Sequence, residues 1–391
     1  MATIRLLTFS TLYPNSARPN HGIFVENRLR HLVAGGEVSS TIVAPVPWFP
    51  SQSQRFGQWS IHSQVSATEN RHGMTVHHPR YLVIPKFGMS AAPFLLYRAA
   101  LPAVRRMLAS GQAFDAIDAH YVYPDGVAAV WLGQALGLPT VVTARGTDIN
   151  LIPHYAIPRR LIRRAIAEAA ALIAVSAAIK AEMVALGAAQ DQVTVLRNGV
   201  ETALFRPMDR TAARRALGIA RPTLLSVGLL IDRKGHHRII EAMTRLPEFD
   251  LMIVGEGPER GRLAALIERL RLANRVQLLG AVPHAELPPI YSAADALVLA
   301  SSREGWANVL LEAMACGTPV VANSRGSMSE LIEHGITGYL VNDIDSAVAG
   351  VAAAGELDRR KIAERAADRF TVATMIDKYV TVYRDVIGKR T

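Results

Sequence analysis

The chain holds a single cysteine, Cys316, so no disulfide framework can form within it. It also lacks any run of about 18 uninterrupted apolar residues, the length a helix needs to cross a bilayer. The opening MATIRLLTFSTLYPNS has no basic leader and no small-residue cleavage site, and its apolar run stops at Tyr13, Pro14 and Asn15. It reads as a first strand rather than a targeting peptide, and the expected location is the cytoplasm. Low-complexity tracts and repeats of solenoid period are absent as well. Acidic residues are scarce in one half only: residues 1–198 carry 18 Lys and Arg against 10 Asp and Glu, the remainder 25 against 23. A basic first half suits an anionic substrate or membrane surface. Nucleic acid is disfavoured, because no recognised binding fold or aromatic platform accompanies the charge.

What the chain does have is apolar content: half of its 391 residues are hydrophobic and 19% are charged, an ordinary globular balance. That length exceeds one core and predicts two domains. Strand-length runs recur between helical patterns: TIRLLTF, STIVAP, DAIDAH, TVVTA, ALIAVS and QVTVL, then TLLSVG, DLMIVG, RVQLLG, DALVLA, TPVVAN and GYLV. Strands alternating with helices imply two doubly wound α/β units with parallel sheets. RNGVETALFRPMDR, interrupted by Gly199 and Pro207, is the expected linker. The expected domains are residues 1–198, 199–370 and a last helix in 371–391 that packs across the junction. Residues 47–92, rich in Pro, Ser, Gln and His, are expected to be irregular loops rather than core. A ligand between two such units would meet the carboxyl ends of their strands, so the expected site is a cleft.

The segment ALVLASSREGWANVLLEAMACGTPVVA carries the densest chemistry. A buried strand runs into a loop with Glu304 and then a helix starting near Ala307, with Glu312 inside it. Free N–H groups in the first turn, Ala307, Asn308, Val309 and Leu310, favour a phosphate. Upstream, SVGLLIDRKG sets Arg233 and Lys234 after a strand ending near Gly228, where cations neutralise a departing diphosphate. Carboxylates accept hydrogen bonds from sugar hydroxyls.

Together with VGEGP, the spacing E-G-x-x-N-x-x-x-E and the block AMACGTPVVA resemble the family 4 retaining glycosyltransferases of the GT-B fold. AHYVYPDGVAA, TARGTD and RNGVETALFRP are similar to further family blocks, in the family's order, and the likeness covers most of the chain. A finer likeness is to teichuronic-acid and other surface-polysaccharide glycosyltransferases. The resemblance implies two Rossmann-like domains facing each other across a cleft, an acceptor-binding first domain and a second that binds a nucleoside-diphosphate sugar. It implies that Glu304 contacts the donor sugar together with Gly305, Trp306 and the helix start, that Glu312 binds the ribose hydroxyls, and that Lys234 stabilises the diphosphate. It also implies that His120 lines the reaction centre and that Gly22, in the loop after the first strand, approaches the phosphates. The acceptor would be a glycan or lipid-linked hydroxyl, and neither metal nor cofactor is implied. Three positions depart from the family pattern. Leu229 stands where an arginine usually shares the diphosphate, leaving Arg233 to compensate; Arg145 stands where many members have histidine; and Gly22 is one glycine where many have two.

Blander readings accompany each residue. Cys316 lies in an apolar setting that suits packing. His120 also fits a strand end, Arg145 and Asp148 fit an ordinary pair, and Glu304 with Glu312 fit a dipole-favoured carboxylate beside a solvated one. VGEGPERG imitates a dinucleotide fingerprint, but its third glycine, Gly261, comes one residue late. Arg98, Arg105, Arg106, Arg159, Arg160, Arg163 and Arg164 lie on apolar helical patterns that suit either an anionic membrane or surface stems over the core. A nucleotide-sugar epimerase of the same fold and a non-catalytic sugar-nucleotide-binding protein are the alternative functions.

Overall fold

A computed structural model describes residues 3–83 and 88–389. Met1, Ala2, residues 84–87, Arg390 and Thr391 lie outside the described residues, and with them small parts of the expected first strand, loop segment and last helix. All twelve runs named above form strands, because β-branched and leucine-rich stretches buried on both faces suit parallel sheets. The backbone gathers into two units, Met1–Arg197 with Ala373–Thr391, and Asn198–Val372.

In the second unit six parallel strands lie in the order Val276–Gly280, Asp250–Val254, Thr223–Val227, Ala296–Leu299, Val320–Asn323 and Gly338–Val341. Counted along the unit this is 3-2-1-4-5-6, the doubly wound order. Its core includes Leu224, Ile240, Leu251, Ile253, Leu263 and Val321. The order reverses between Thr223–Val227 and Ala296–Leu299, and loops leaving those two strands diverge to leave a crevice. The VGEGPERG segment follows Asp250–Val254, a strand away from that reversal, so its likeness to a dinucleotide fingerprint is not matched by position.

The first unit has eight strands in the order Val193–Val195, Ala171–Ala174, Thr140–Ala144, Ala116–His120, Ile4–Phe9, Val38–Val43, Met74–His77 and Thr68–Arg71. All neighbours are parallel except the last two, an antiparallel hairpin. That hairpin corrects the expectation of irregular loops over 47–92. Its turn is His72–Gly73, with φ of 52° and 80°, the left-handed pair that a two-residue hairpin loop needs. Val65, Met74 and Val76 are buried. Four-residue strands are too short to build a visible alternation, and pairing with Val38–Val43 supplies what periodicity did not. The order of this sheet reverses between Ile4–Phe9 and Ala116–His120.

The last helix, Val372–Gly388, belongs to the first unit from Ala373 onward. Tyr379 and Tyr383 on its inner face are buried, and Arg28 Nη1 donates to the Tyr383 hydroxyl at 2.9 Å. At the edge of the second unit the incoming and outgoing chain are tied together, with Val200 N donating to Phe370 O at 2.8 Å.

Candidate active site

The helix at the reversal of the second sheet is Asn308–Ala315, with Ala307 as its first cap and Leu310 N already donating to Ala307 O at 3.0 Å. In the loop before it, Glu304 is turned toward the cations expected beside it. Lys234 Nζ meets Glu304 Oε1 at 2.5 Å, and Arg233 Nη1 lies 3.6 Å from Oε2 while donating to Arg303 O at 3.0 Å. The Lys234 stem passes over Gly228, within 3.5 Å of where a Cβ would stand. Gly235 follows with φ of 72°, and a Cβ there would lie 2.3 Å from Ala300 O. Only glycine lets the Arg233–Lys234 turn approach the end of Ala296–Leu299 so closely. Leu229, where the resemblance wants an arginine, is 60% exposed, and its carbonyl accepts from Ile231 N at 2.9 Å.

Glu312 is oriented by two side chains that no sequence motif singles out. Tyr291 donates to Oε2 at 2.8 Å, and His284 Nε2 lies 3.0 Å from Oε1 with its ring 4.9 Å from that of Phe205. Both residues come from the segment before Ala296–Leu299, and neither belongs to a recognisable motif. Each carboxylate oxygen keeps a lone pair for a further donor. Trp306 and Asn308 face the chain entering the unit: Trp306 Nε1 donates to Asn198 O at 3.2 Å, and Asn198 Nδ2 to Asn308 Oδ1 at 3.1 Å. Gly305, Ala307 and Leu310 are buried, and Val309 is half-buried. Cys316 is buried and its thiol is pushed up to about 12 by that burial, which fits packing and not nucleophilicity.

In the first unit His120 ends its strand with no exposed surface. Its Nδ1 lies 2.8 Å from Arg145 Nη2 and its Nε2 3.1 Å from Asp118 Oδ2. Arginine offers no acceptor, so Nδ1 accepts from Arg145, while Nε2 stands between the Asp118 carboxylate and the Arg28 guanidinium. Arg28 closes the group, reaching Asp118 and His120 through Nη2 and covering the Tyr379 ring at 4.5 Å. Burial and the adjacent Arg28 hold the His120 imidazolium low, at about 3. Burial alone would raise the Asp118 carboxyl, but Arg28 and His120 bring it far below the carboxylate range. Asp118 was legible in principle, since it stands two residues before His120 on one face of an apolar strand; Arg28 and Tyr383 were not. Asp148 accepts from the backbone N–H of Val122, Arg145 and Gly146, at 2.7 Å from Val122 and from Gly146. These bonds fix Tyr121, whose φ of 81° is costly for a residue with a Cβ.

Gly22 starts the helix Ile23–Ala34 with φ of 70°, and a Cβ on it would stand 2.3 Å from the carbonyl of Leu12. The loop 10–22 therefore folds back on itself at the carboxyl end of Ile4–Phe9. No helix among the described residues is long and apolar enough to cross a membrane.

Two family models match: Glycosyltransferase Family 4 over residues 48–204 and Glycosyl transferases group 1 over residues 209–369, together most of the chain. A putative teichuronic acid biosynthesis glycosyltransferase, TuaC of Bacillus subtilis (strain 168), is 28% identical over 336 residues, 84% of this chain and 83% of that protein. Among solved structures, sucrose-phosphate synthase from Thermosynechococcus elongatus superposes with a TM-score of 0.79 at 20% identity, covering 99% of this chain and all of that one. Anabaena HepE, solved in complex with UDP-glucose, superposes with a TM-score of 0.72 at 20% identity over 98% of this chain and all of that one. With two sheets of doubly wound order, a phosphate-favouring helix start and these matches, the chain belongs to the family 4 glycosyltransferases and has the GT-B fold.

Proposed function

We propose that this glycosyltransferase moves a sugar, with retained configuration, from a nucleoside diphosphate to a hydroxyl of a glycan or lipid-linked acceptor in cell-surface polysaccharide synthesis. The observation that carries the donor reading is the Lys234–Glu304 pair beside the start of Asn308–Ala315. An exposed diphosphate would draw Lys234 and Arg233 to itself and take the free N–H groups of the helix start, which releases Glu304 for the sugar hydroxyls. Glu312, oriented by His284 and Tyr291, would then take the ribose hydroxyls. The bond from the anomeric carbon to the phosphate oxygen breaks and a bond to the acceptor oxygen forms on the same face. The acceptor proton passes to the departing diphosphate. In this reading charge neutralisation falls to side chains and helix N–H groups. HepE, solved with UDP-glucose, supports a nucleotide-sugar donor, and TuaC, named for teichuronic acid, supports a surface polysaccharide.

Glu304→Ala and Lys234→Ala are expected to lower turnover by roughly 100-fold each. Full turnover in both, assayed with a donor and acceptor pair, refutes these roles. Epimer formation from nucleotide sugar alone, without acceptor, would replace transfer by isomerisation. The same reading places the enzyme in the cytoplasm, at the inner face of the plasma membrane, through the helix Ala156–Glu168. Arg159, Arg160, Arg163 and Arg164 are exposed there beside exposed Tyr155 and Ile157. Changing the four arginines to glutamine is expected to reduce co-sedimentation with anionic vesicles, by about 1 kcal/mol per residue.

A further inference from the structure

The buried carboxylate of Asp125 is used by nothing described so far, and no cation pairs with it among the described residues. Asp125 lies in the turn Val122–Gly126 that follows Ala116–His120, and it has no exposed surface. Every hydrogen bond it accepts comes from the start of the loop after Ile4–Phe9. Thr11 N donates to Oδ2 at 2.8 Å, Thr11 Oγ1 lies 2.9 Å from Oδ1, and Ser10 Oγ lies 3.3 Å from Oδ2. A buried carboxylate is costly unless such donors satisfy it. Those two residues in turn hold the rest of the loop: Leu12 N donates to Ser10 Oγ at 3.0 Å, and His21 Nε2 lies 3.1 Å from Thr11 O. The Leu12 carbonyl is the surface on which Gly22 rests.

We propose that Asp125 is the positioning residue of the Ser10–Gly22 loop, fixing through Ser10 and Thr11 the backbone of Gly22 for contact with a nucleotide's phosphate. This rests on the reading of Gly22 as a phosphate-loop glycine. The titratable groups facing Asp125 are Asp148, from the turn after Thr140–Ala144, and Tyr81, with His120 contributing its carbonyl to Ser10 Oγ at 3.3 Å. None of them supplies a positive charge to it. Burial, reinforced by Asp148, pushes the carboxyl up to about 7. The ionised group accepts from all the loop donors, whereas the protonated group must turn one oxygen into a donor and loosens the loop. Nucleotide affinity therefore rises between pH 6 and pH 8 through this group.

The test titrates UDP, GDP and ADP into the full chain by calorimetry at about pH 6 and pH 8, for wild type, Asp125→Asn, Thr11→Val and Gly22→Ala. The expected result for Asp125→Asn is affinity weakened about tenfold at pH 8, with the wild type's pH dependence flattened. Thr11→Val keeps the carboxylate and removes one half-buried donor. It is expected to weaken binding about threefold, and it decides the matter should the Asn variant not fold. Gly22→Ala separates the two levels. If it binds as wild type does, or if no nucleotide binds the wild type, the phosphate-loop reading fails and the proposal falls with it. If Gly22→Ala weakens binding while Asp125→Asn and Thr11→Val retain wild-type affinity and pH dependence, the loop reading stands and Asp125 is no positioning residue.

Discussion

At the reversal of the second sheet, the Lys234 and Glu304 side chains keep 14% and 8% of their surface and answer chiefly to each other. At the reversal of the first, Arg28, Asp118 and His120 keep almost none, and most of their polar atoms are taken up by one another, by Arg145 and by the last helix, with Arg28 Nε and Asp118 Oδ1 buried without a hydrogen-bond partner. The same topological position thus carries two kinds of charge. A pair at the rim of a crevice can exchange partners with a ligand at small cost, because water or a diphosphate replaces what each member loses. A sealed network cannot, because freeing any member strands a charge in an apolar setting. One pair can trade partners, and the other group holds a strand end, a loop and a helix in place.

The largest expected consequence of that contrast is in stability. Arg28→Ala leaves Asp118 buried and uncompensated and is expected to cost about 3–5 kcal/mol in urea unfolding, with a smaller cost for Glu304→Ala. Equal costs would erase the distinction. Next comes pH. Burial holds His120 at about 3 and His236 at about 4, so between roughly pH 4 and 6.5 the unfolded chain binds more protons and stability rises with pH. Each histidine contributes up to about 1.4 kcal/mol per pH unit. Asp125, raised to about 7, acts oppositely: its contribution is present below the unfolded carboxyl value and is lost as pH rises through 7. Two histidines outweigh one carboxyl, so the melting temperature is expected to climb from acid pH to a maximum near 6.5; a flat profile contradicts the burial of these groups. The smallest effect belongs to His284→Ala, which removes one of two groups orienting Glu312. About threefold weaker nucleotide binding with unchanged melting is expected in calorimetry, and a full loss would mean that Tyr291 alone cannot hold the carboxylate.

Both halves of the fold were legible because long buried strands leave apolar runs that survive in one dimension. The hairpin Thr68–Arg71 with Met74–His77 was not, since its strands are too short for a pattern and gain their burial from Val38–Val43. Lys234, Glu304 and Glu312 were legible through glycine and helix signals around them. His284, Tyr291 and Arg28 were not, since a histidine, a tyrosine and an arginine on helical or loop stretches carry no mark of what they will face. Asp125 stood in a quoted block, but nothing in PDG tells that its partners are Ser10 and Thr11.

By itself the sequence determined the alternation of strands and helices, the glycines that permit close turns and the carboxylates and cations set at strand ends, all of which follow from near neighbours in the chain. Only the tertiary structure decided which charges are sealed and which remain available. That choice depends on what packs against each side chain from residues up to 355 positions away, as Tyr383 does on Arg28. Burial is a property of those contacts and not of the residue.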